Sequence, residues 1–351
     1  MNFFKAKAFA QRSGIALPAS PEKDQKTAIL LCNLGTPDEP TPIALRRYLA
    51  EFLSDSRVVE IPRWIWSFIL HGIILRVRPA KSATKYASIW TTDGSPLAVH
   101  TQKQIKLLQG FLGEQGIQVL VRGAMRYGNP SIASQLDALM ASGVQRVLVW
   151  PLYPQYCGAT TASTIDAVTA WVQCQRWVPE LRFINQYHLD AHYIHALAKS
   201  VTDHWKMDGR GQHLIMSFHG MPQRTLELGD PYFHECQATA QQLAKTLRLE
   251  DSEYSVCFQS RFGKAKWLQP YTQGRMETLA RTGIRTLDVI CPGFSSDCLE
   301  TLEEVNIELR ASFLAAGGKS FAYIPCLNER SDWIQAMCAI STRHLHGWIP
   351  S

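Results

Sequence analysis

The chain has 351 residues, 46% of them hydrophobic, and carries a net charge of +6. Such a composition excludes a disordered or fibrous protein and leaves room for two domains. No block of Lys or Arg reads as a nucleic-acid tract, while the mildly basic balance suits carboxylated ligands or an anionic lipid surface.

From the N-terminus, Met1 to Gln25 is polar and lacks an apolar core followed by a cleavage site, so residues 1–26 read as an extension and not as a leader. Four apolar runs follow in the first half, Thr27–Leu34, Gln118–Met125, Arg146–Tyr153 and Leu181–Tyr187. Four more lie in the second half, His213–Gly220, Tyr254–Ser260, Thr286–Phe294 and Ser320–Leu327. Each has the length and bounding turn residues of a buried strand. Helical periodicity separates them at Ile43–Ser54, Thr101–Gln115, Ile132–Ser142, Thr164–Trp177, His192–Trp205, Phe233–Leu249, Gln273–Thr282 and Leu299–Ala316, and Asp332–His344 closes the chain. Strand alternating with helix predicts an α/β fold of two similar Rossmann-like domains, each a four-stranded parallel sheet flanked by helices. The expected limits are 27–183 and 184–351, the second ending in a C-terminal helix. The stretch Trp64–Leu75 is too short to span a bilayer and contains His71 and Gly72. Bracketed by Arg63 and Arg76, with Trp64 and Trp66 near one end, it is either a buried helix or an apolar lip that touches a membrane or a greasy ligand.

No Gly-x-Gly-x-x-Gly follows the first strand and no Walker A sequence occurs, so no dinucleotide, nucleotide or other organic cofactor is expected. The nine cysteines are scattered, with no Cys-x-x-Cys pair, which points to a reducing compartment and to neither a zinc ribbon nor a disulfide framework. The fifth strand ends in Ser217-Phe218-His219-Gly220-Met221-Pro222. Gly220 and Pro222 stop the strand, which places His219 at its carboxyl-terminal lip, where open parallel sheets bind ligands. An imidazole there can accept a proton near neutral pH. The other strand ends bring tyrosines, phenylalanines, arginines and hydroxyls to that edge, among them Arg126, Tyr127, Tyr153, Ser217 and Phe294. This is a lining for a large flat aromatic ligand with anionic substituents. Beyond the seventh strand, Asp297 and Glu300 have the spacing of a capping box. Glu300, Glu304 and Glu308 recur every fourth residue, as either a solvated helix face or a path for cations and protons.

The segments Ser217–Pro222, Gly229–Tyr232, Phe258–Gly263 and Pro292–Glu304 resemble ferrochelatases of the bacterial type, as do Leu34–Pro37, Gly94–Leu97, Met125–Tyr127 and Pro151–Tyr156, in the same order from about residue 27 to the C-terminus. The resemblance implies two chelatase-like domains with a porphyrin cleft between them. It also implies insertion of Fe²⁺ into protoporphyrin IX, the last step of haem synthesis. It assigns His219 and Glu300 as catalytic residues, Glu304 and Glu308 as the acidic row, and Arg126 and Tyr127 as the porphyrin-facing pair; by their own chemistry the imidazole of His219 and the carboxylate of Glu300 can also hold Fe²⁺ weakly before transfer. Two departures stand out. Many members have histidine where this chain has Cys298, and some bind a [2Fe–2S] cluster through clustered C-terminal cysteines. Here only Cys326 and Cys338 lie near the end, so no cluster is expected. The expected partners are protoporphyrin IX and ferrous iron, with no nucleic acid. The expected location is the cytoplasm, with peripheral contact at the inner face of the membrane. Three other readings stay open at this stage. They are a chelatase for coproporphyrin III or another metal, a catalytically silent porphyrin or haem carrier, and a zinc hydrolase on His188, His192 and His195, which lack a His-Glu-x-x-His pattern.

Overall fold

All eight apolar runs form strands in the computed structural model, which describes residues 25–261, 263 and 265–349. The expected N-terminal extension, and the reading that it holds no leader, therefore lie almost wholly outside the described residues. The strands are β1 (Lys26–Thr36), β2 (Leu120–Gly128), β3 (Val144–Pro151), β4 (Glu180–Phe183), β5 (His213–His219), β6 (Tyr254–Gln259), β7 (Thr286–Ile290) and β8 (Ser320–Tyr323). They make two all-parallel four-stranded sheets in the orders β2-β1-β3-β4 and β6-β5-β7-β8. The second order repeats the first, which gives the likeness of the halves a structural basis. In each sheet the order reverses beside its first strand, so the crevices open at the carboxyl ends of β1 and β3 and of β5 and β7. His219 ends β5, and the segment carrying Glu300 follows β7. The two crevices abut, since the Ser295 hydroxyl, beyond β7, donates to the Leu152 carbonyl, beyond β3, at 3.0 Å.

β4 and β8 stop at Phe183 and Tyr323, short of the expected Tyr187 and Leu327. Each pairs on one side only, over four residues, so the chain peels away once that ladder ends. The first helices are α1 (Pro42–Leu53), α2 (Arg63–Ile69), α3 (Leu75–Ile89) and α4 (Pro96–Glu114). The Thr41 hydroxyl caps α1 by accepting from Ala44 N, and Pro42 starts it. Proline at the first position likewise starts α4 five residues before the periodicity predicts. A π-wound turn, Leu70–Ile74, joins α2 to α3. The expected helix Leu299–Ala316 is π-wound over Glu300–Leu309 and α-helical over Arg310–Ala315.

The largest core cluster runs through both halves, from Ile29, Leu31 and Trp150 to Met216, Phe218 and Trp333. The C-terminal helix Ser331–Leu345 packs against α4 and against the helix Ala191–Asp208. Arg182 donates to the carbonyls of His344 and His346, so the helix that ends the second half also seals the first. None of the helices among the described residues is long and apolar enough to cross a membrane.

Candidate active site

His219 stands half-buried at the end of β5, as Gly220 and Pro222 lead one to expect. Its Nδ1 lies 2.7 Å from the Gly220 carbonyl oxygen, which can only accept, so Nδ1 carries a proton and Nε2 is left for chemistry. Its backbone carbonyl takes a hydrogen bond from the buried Tyr232 hydroxyl at 3.0 Å. Glycine is required at the next position. A Cβ on Gly220 would lie 2.5 Å from the Gln259 carbonyl oxygen and 3.2 Å from the Trp267 ring. Trp267 thus stands beside His219, and its indole N–H is buried without a partner among the described residues. In the sequence Trp267 is marked only as an aromatic in the loop after a strand end.

Gln259, at the end of β6, ties this strand end to the segment after β7. The Ser217 hydroxyl donates to Gln259 Oε1 at 2.7 Å, and Gln259 Nε2 donates to the Glu300 carbonyl at 2.8 Å. Ser217 itself is fully buried and also bonded to Thr272, so its hydroxyl supports Gln259 behind the lining, where it was expected to touch a ligand. Glu304 is anchored by Ser260, whose amide donates at 2.7 Å and whose hydroxyl also donates. Ser260 holds φ of 62°, a left-handed conformation costly for a non-glycine residue and kept here by those two bonds. Burial raises the Glu304 carboxyl above the ordinary range, against the pull of the Ser260 donors and of nearby His219, while Glu300 adds to the rise.

The capping-box reading is overturned. The Asp297 carboxylate is a buried hub that accepts from Thr301, Tyr323 and Asn328 side chains, and Glu300 lies inside a π-wound helix with Asp297 outside it. Thr301 accepts from the Cys298 amide instead. The four-residue row is altered too, because the helix advances by i→i+5 bonds. Glu304 turns to Ser260, whereas Glu308 pairs with Glu303 on Lys85 of α3, at 2.8 and 3.0 Å. Glu308 is therefore a partnered, outward residue at the far end. The Cys298 thiol is pushed well up, first by burial and then by Glu300, and stays protonated.

In the first half, Arg126 and Tyr127 are committed to each other's surroundings. Arg126 donates to Asp55 at 2.6 Å and to the Ser163 hydroxyl at 2.7 Å, while the Tyr127 hydroxyl donates to Asp55 at 2.8 Å. Tyr127 is fully buried, so it braces Arg126 and does not face the cleft as expected. Burial works against the Asp55 carboxylate, yet Ser163, the Arg57 amide, Tyr127 and Arg126 outweigh it and hold the group below the ordinary range. Tyr153 has a buried hydroxyl with no partner among the described residues, and it lies within electrostatic reach of Tyr127, Arg126 and Cys298. Tyr48, Tyr86 and Arg78, from α1 and α3, lie in similar reach of Glu300. Phe294 is half-buried in the turn after β7.

The Trp64–Leu75 stretch is divided, for Leu70 and Leu75 are buried in the core while the rest of its apolar side chains face outward to different degrees. Trp64 and Phe68 are 71% and 78% exposed, and Ile43, Ile73 and Val77 extend the apolar surface. Arg46, Arg47, Arg63 and Arg76 are exposed nearby in sequence. Trp66 differs, for it is half-buried and its indole N–H donates to the Leu53 carbonyl. Among the described residues no three His, Cys, Asp or Glu side chains gather as a metal-holding group. The zinc-hydrolase reading on His188, His192 and His195 finds no support in that geometry. His219 and Glu300 lie within electrostatic reach of Glu304.

The family model described as Ferrochelatase matches residues 26–345. A ferrochelatase of Methylibium petroleiphilum is 64% identical over 324 residues, covering 92% of this chain and 89% of that relative. One from a Polaromonas species is 60% identical over 341 residues, covering 97% and 93%. The solved structure of SirB from Bacillus subtilis with Fe³⁺ has a TM-score of 0.52 at 13% identity, covering 92% of this chain and 96% of that one, a likeness of fold alone.

Proposed function

The chain belongs to the ferrochelatase family and is an enzyme of haem synthesis that inserts ferrous iron into a porphyrin; from this premise we propose that it metallates protoporphyrin IX between the two crevices, with His219 as proton acceptor and Glu300 as its acidic partner. The observation that carries the assignment is the Nδ1 contact of His219 with Gly220, which leaves Nε2 free to act. A free-base porphyrin must lose two pyrrole protons as Fe²⁺ enters. His219 Nε2 takes the two protons in turn from the pyrrole nitrogens, handing the first to Glu300 and Glu304, which pass it outward, before it takes the second. The raised Glu304 carboxyl makes it a readier proton acceptor than an ordinary carboxylate. His219 and Glu300 also receive the incoming ion. An open set of two or three ligands holds Fe²⁺ weakly enough to yield it to four ring nitrogens. Arg126, Tyr153, Phe294 and Trp267 line the ring's seat, the first two offering donors to propionates and the others apolar faces. A cleft that grips the rim can spend that binding on buckling the plane, which exposes the nitrogen lone pairs.

The reaction needs no organic cofactor in this reading, and no [2Fe–2S] cluster. The two cysteines near the C-terminus sit apart in separate surroundings, Cys326 against the Tyr323 hydroxyl and Cys338 donating to Gln115, which supports this. The enzyme works in the cytoplasm, resting its apolar lip on the inner face of the membrane, where porphyrin partitions, and it binds no nucleic acid. The test is to incubate the protein with Zn²⁺ and protoporphyrin IX without nucleotide and watch for fluorescence of the zinc product. Parallel runs with coproporphyrin III decide the porphyrin. A requirement for ATP, or porphyrin bound but never metallated, would return the chain to the carrier reading.

A further inference from the structure

The Glu300–Leu309 helix poses a problem that the reaction does not explain. π winding occurs mostly as single-turn bulges, yet here it runs for ten residues. Its inner end is gripped by Gln259 on the Glu300 carbonyl and by Ser260 on the Glu304 carboxylate. Its outer end is gripped by one side chain from another part of the chain. Lys85 Nζ donates to Glu303 Oε2 at 3.0 Å and to Glu308 Oε1 at 2.8 Å. Those two glutamates are five residues apart. On an α-helix, positions five apart point about 140° away from one another, too far for one ammonium to reach both at such distances. In a π-helix five residues make one hydrogen-bond step, so the two carboxylates come side by side.

We propose that Lys85 is a positioning residue that selects the π register of this helix and thereby sets Glu300 and Glu304 against His219. The proposal rests on the roles given above to those three residues. Lys85 lies on α3, which packs along the π-wound helix and carries Tyr86 and Arg78, both within reach of Glu300. A return to α winding would rotate Glu304 away from Ser260 and carry Glu303 and Glu308 to different faces. The bridge has one sheltered arm and one open arm, for Glu303 is 10% exposed and Glu308 51%. Lys85 is itself 42% exposed, so the Lys85–Glu303 arm is screened less than the Lys85–Glu308 arm and more than a fully buried pair.

The test uses the full chain with Lys85→Met, which keeps the stem and removes the charge, and Lys85→Arg, which restores it. Hydrogen exchange over residues 300–310 reads the winding whether or not the site metallates porphyrin, so it stands apart from the functional assignment. Lys85→Met should speed exchange there about fivefold, the scale of about 1 kcal/mol, with the rest of the chain and the melting temperature unchanged. kcat for zinc insertion should fall several-fold with the KM for porphyrin within about twofold, and Lys85→Arg should recover both signals. Unchanged exchange in Lys85→Met, or exchange raised across the whole chain with a lowered melting temperature, would overturn the register role. Local loosening with an unchanged kcat would overturn the link to Glu300 and Glu304.

Discussion

Replacing Trp64 and Phe68 together by serine tests whether the lip docks on lipid. At 71% and 78% exposure, these side chains leave most of their surface in water. An aromatic side chain offers roughly 150–250 Å² for burial, so the pair leaves about 300 Å² to remove from water. At about 25 cal/mol per Å² that is at most about 7 kcal/mol, and insertion to half depth keeps about 3–4 kcal/mol. The double variant should therefore lose on the order of 10²–10³-fold in partition onto vesicles of phosphatidylcholine and phosphatidylglycerol, read by co-sedimentation. Because neither side chain is packed in the core, the melting temperature and the turnover of detergent-solubilised porphyrin should stay as they are. Trp66 is left alone, since its indole bonds to Leu53 and its loss would loosen the base of α2. Raising salt should weaken the wild type's binding through the exposed arginines without abolishing it. Equal vesicle binding by variant and wild type would refute the reasoning and make the exposed face unrelated to lipid.

His219→Ala should cut metal insertion by about 10²–10⁴-fold while porphyrin binding, followed by fluorescence quenching, stays within about tenfold; full activity would sink the central assignment. Glu300→Gln keeps the backbone carbonyl that Gln259 holds, and with no capping box to lose it should leave the melting temperature nearly unchanged while turnover drops; normal turnover would return Glu300 to a structural role. Asp55→Asn should destabilise the fold by about 3–5 kcal/mol in a urea titration, because the Arg126 charge loses its buried partner. For the wild type the sign follows from the lowered Asp55 carboxyl. Its contribution is complete above the unfolded value near pH 4 and is lost as pH falls through the lower folded value, so acid unfolding should be steeper in the wild type than in Asp55→Asn.

Local rules in the chain determine a good deal by themselves. The eight strands follow from short apolar runs between turn residues, and parallel pairing follows from the helices between them. His219 reaches the lip because Gly220 and Pro222 cannot continue a strand. Trp267 shows the limit of that logic, since only its contact with Gly220 marks it out from other loop aromatics. Tertiary structure decided what depends on distant partners. Asp297 and Glu300 have capping spacing, but Tyr323 and Asn328 draw the Asp297 carboxylate elsewhere. Arg126 and Tyr127 look wholly free to meet a ligand until Asp55 and Ser163 claim the Tyr127 hydroxyl and part of the Arg126 guanidinium. Whether Trp64–Leu75 is core or lip turns on whether a neighbour covers it, and periodicity carries no record of neighbours. The acidic row shows the division best. A four-residue spacing names a face only once the winding is known, and the winding depends on Lys85, 218 and 223 positions from the glutamates it bridges. Hydrogen-bond periodicity is local, but the choice between two helical periods is made by a side chain that only the folded chain brings near.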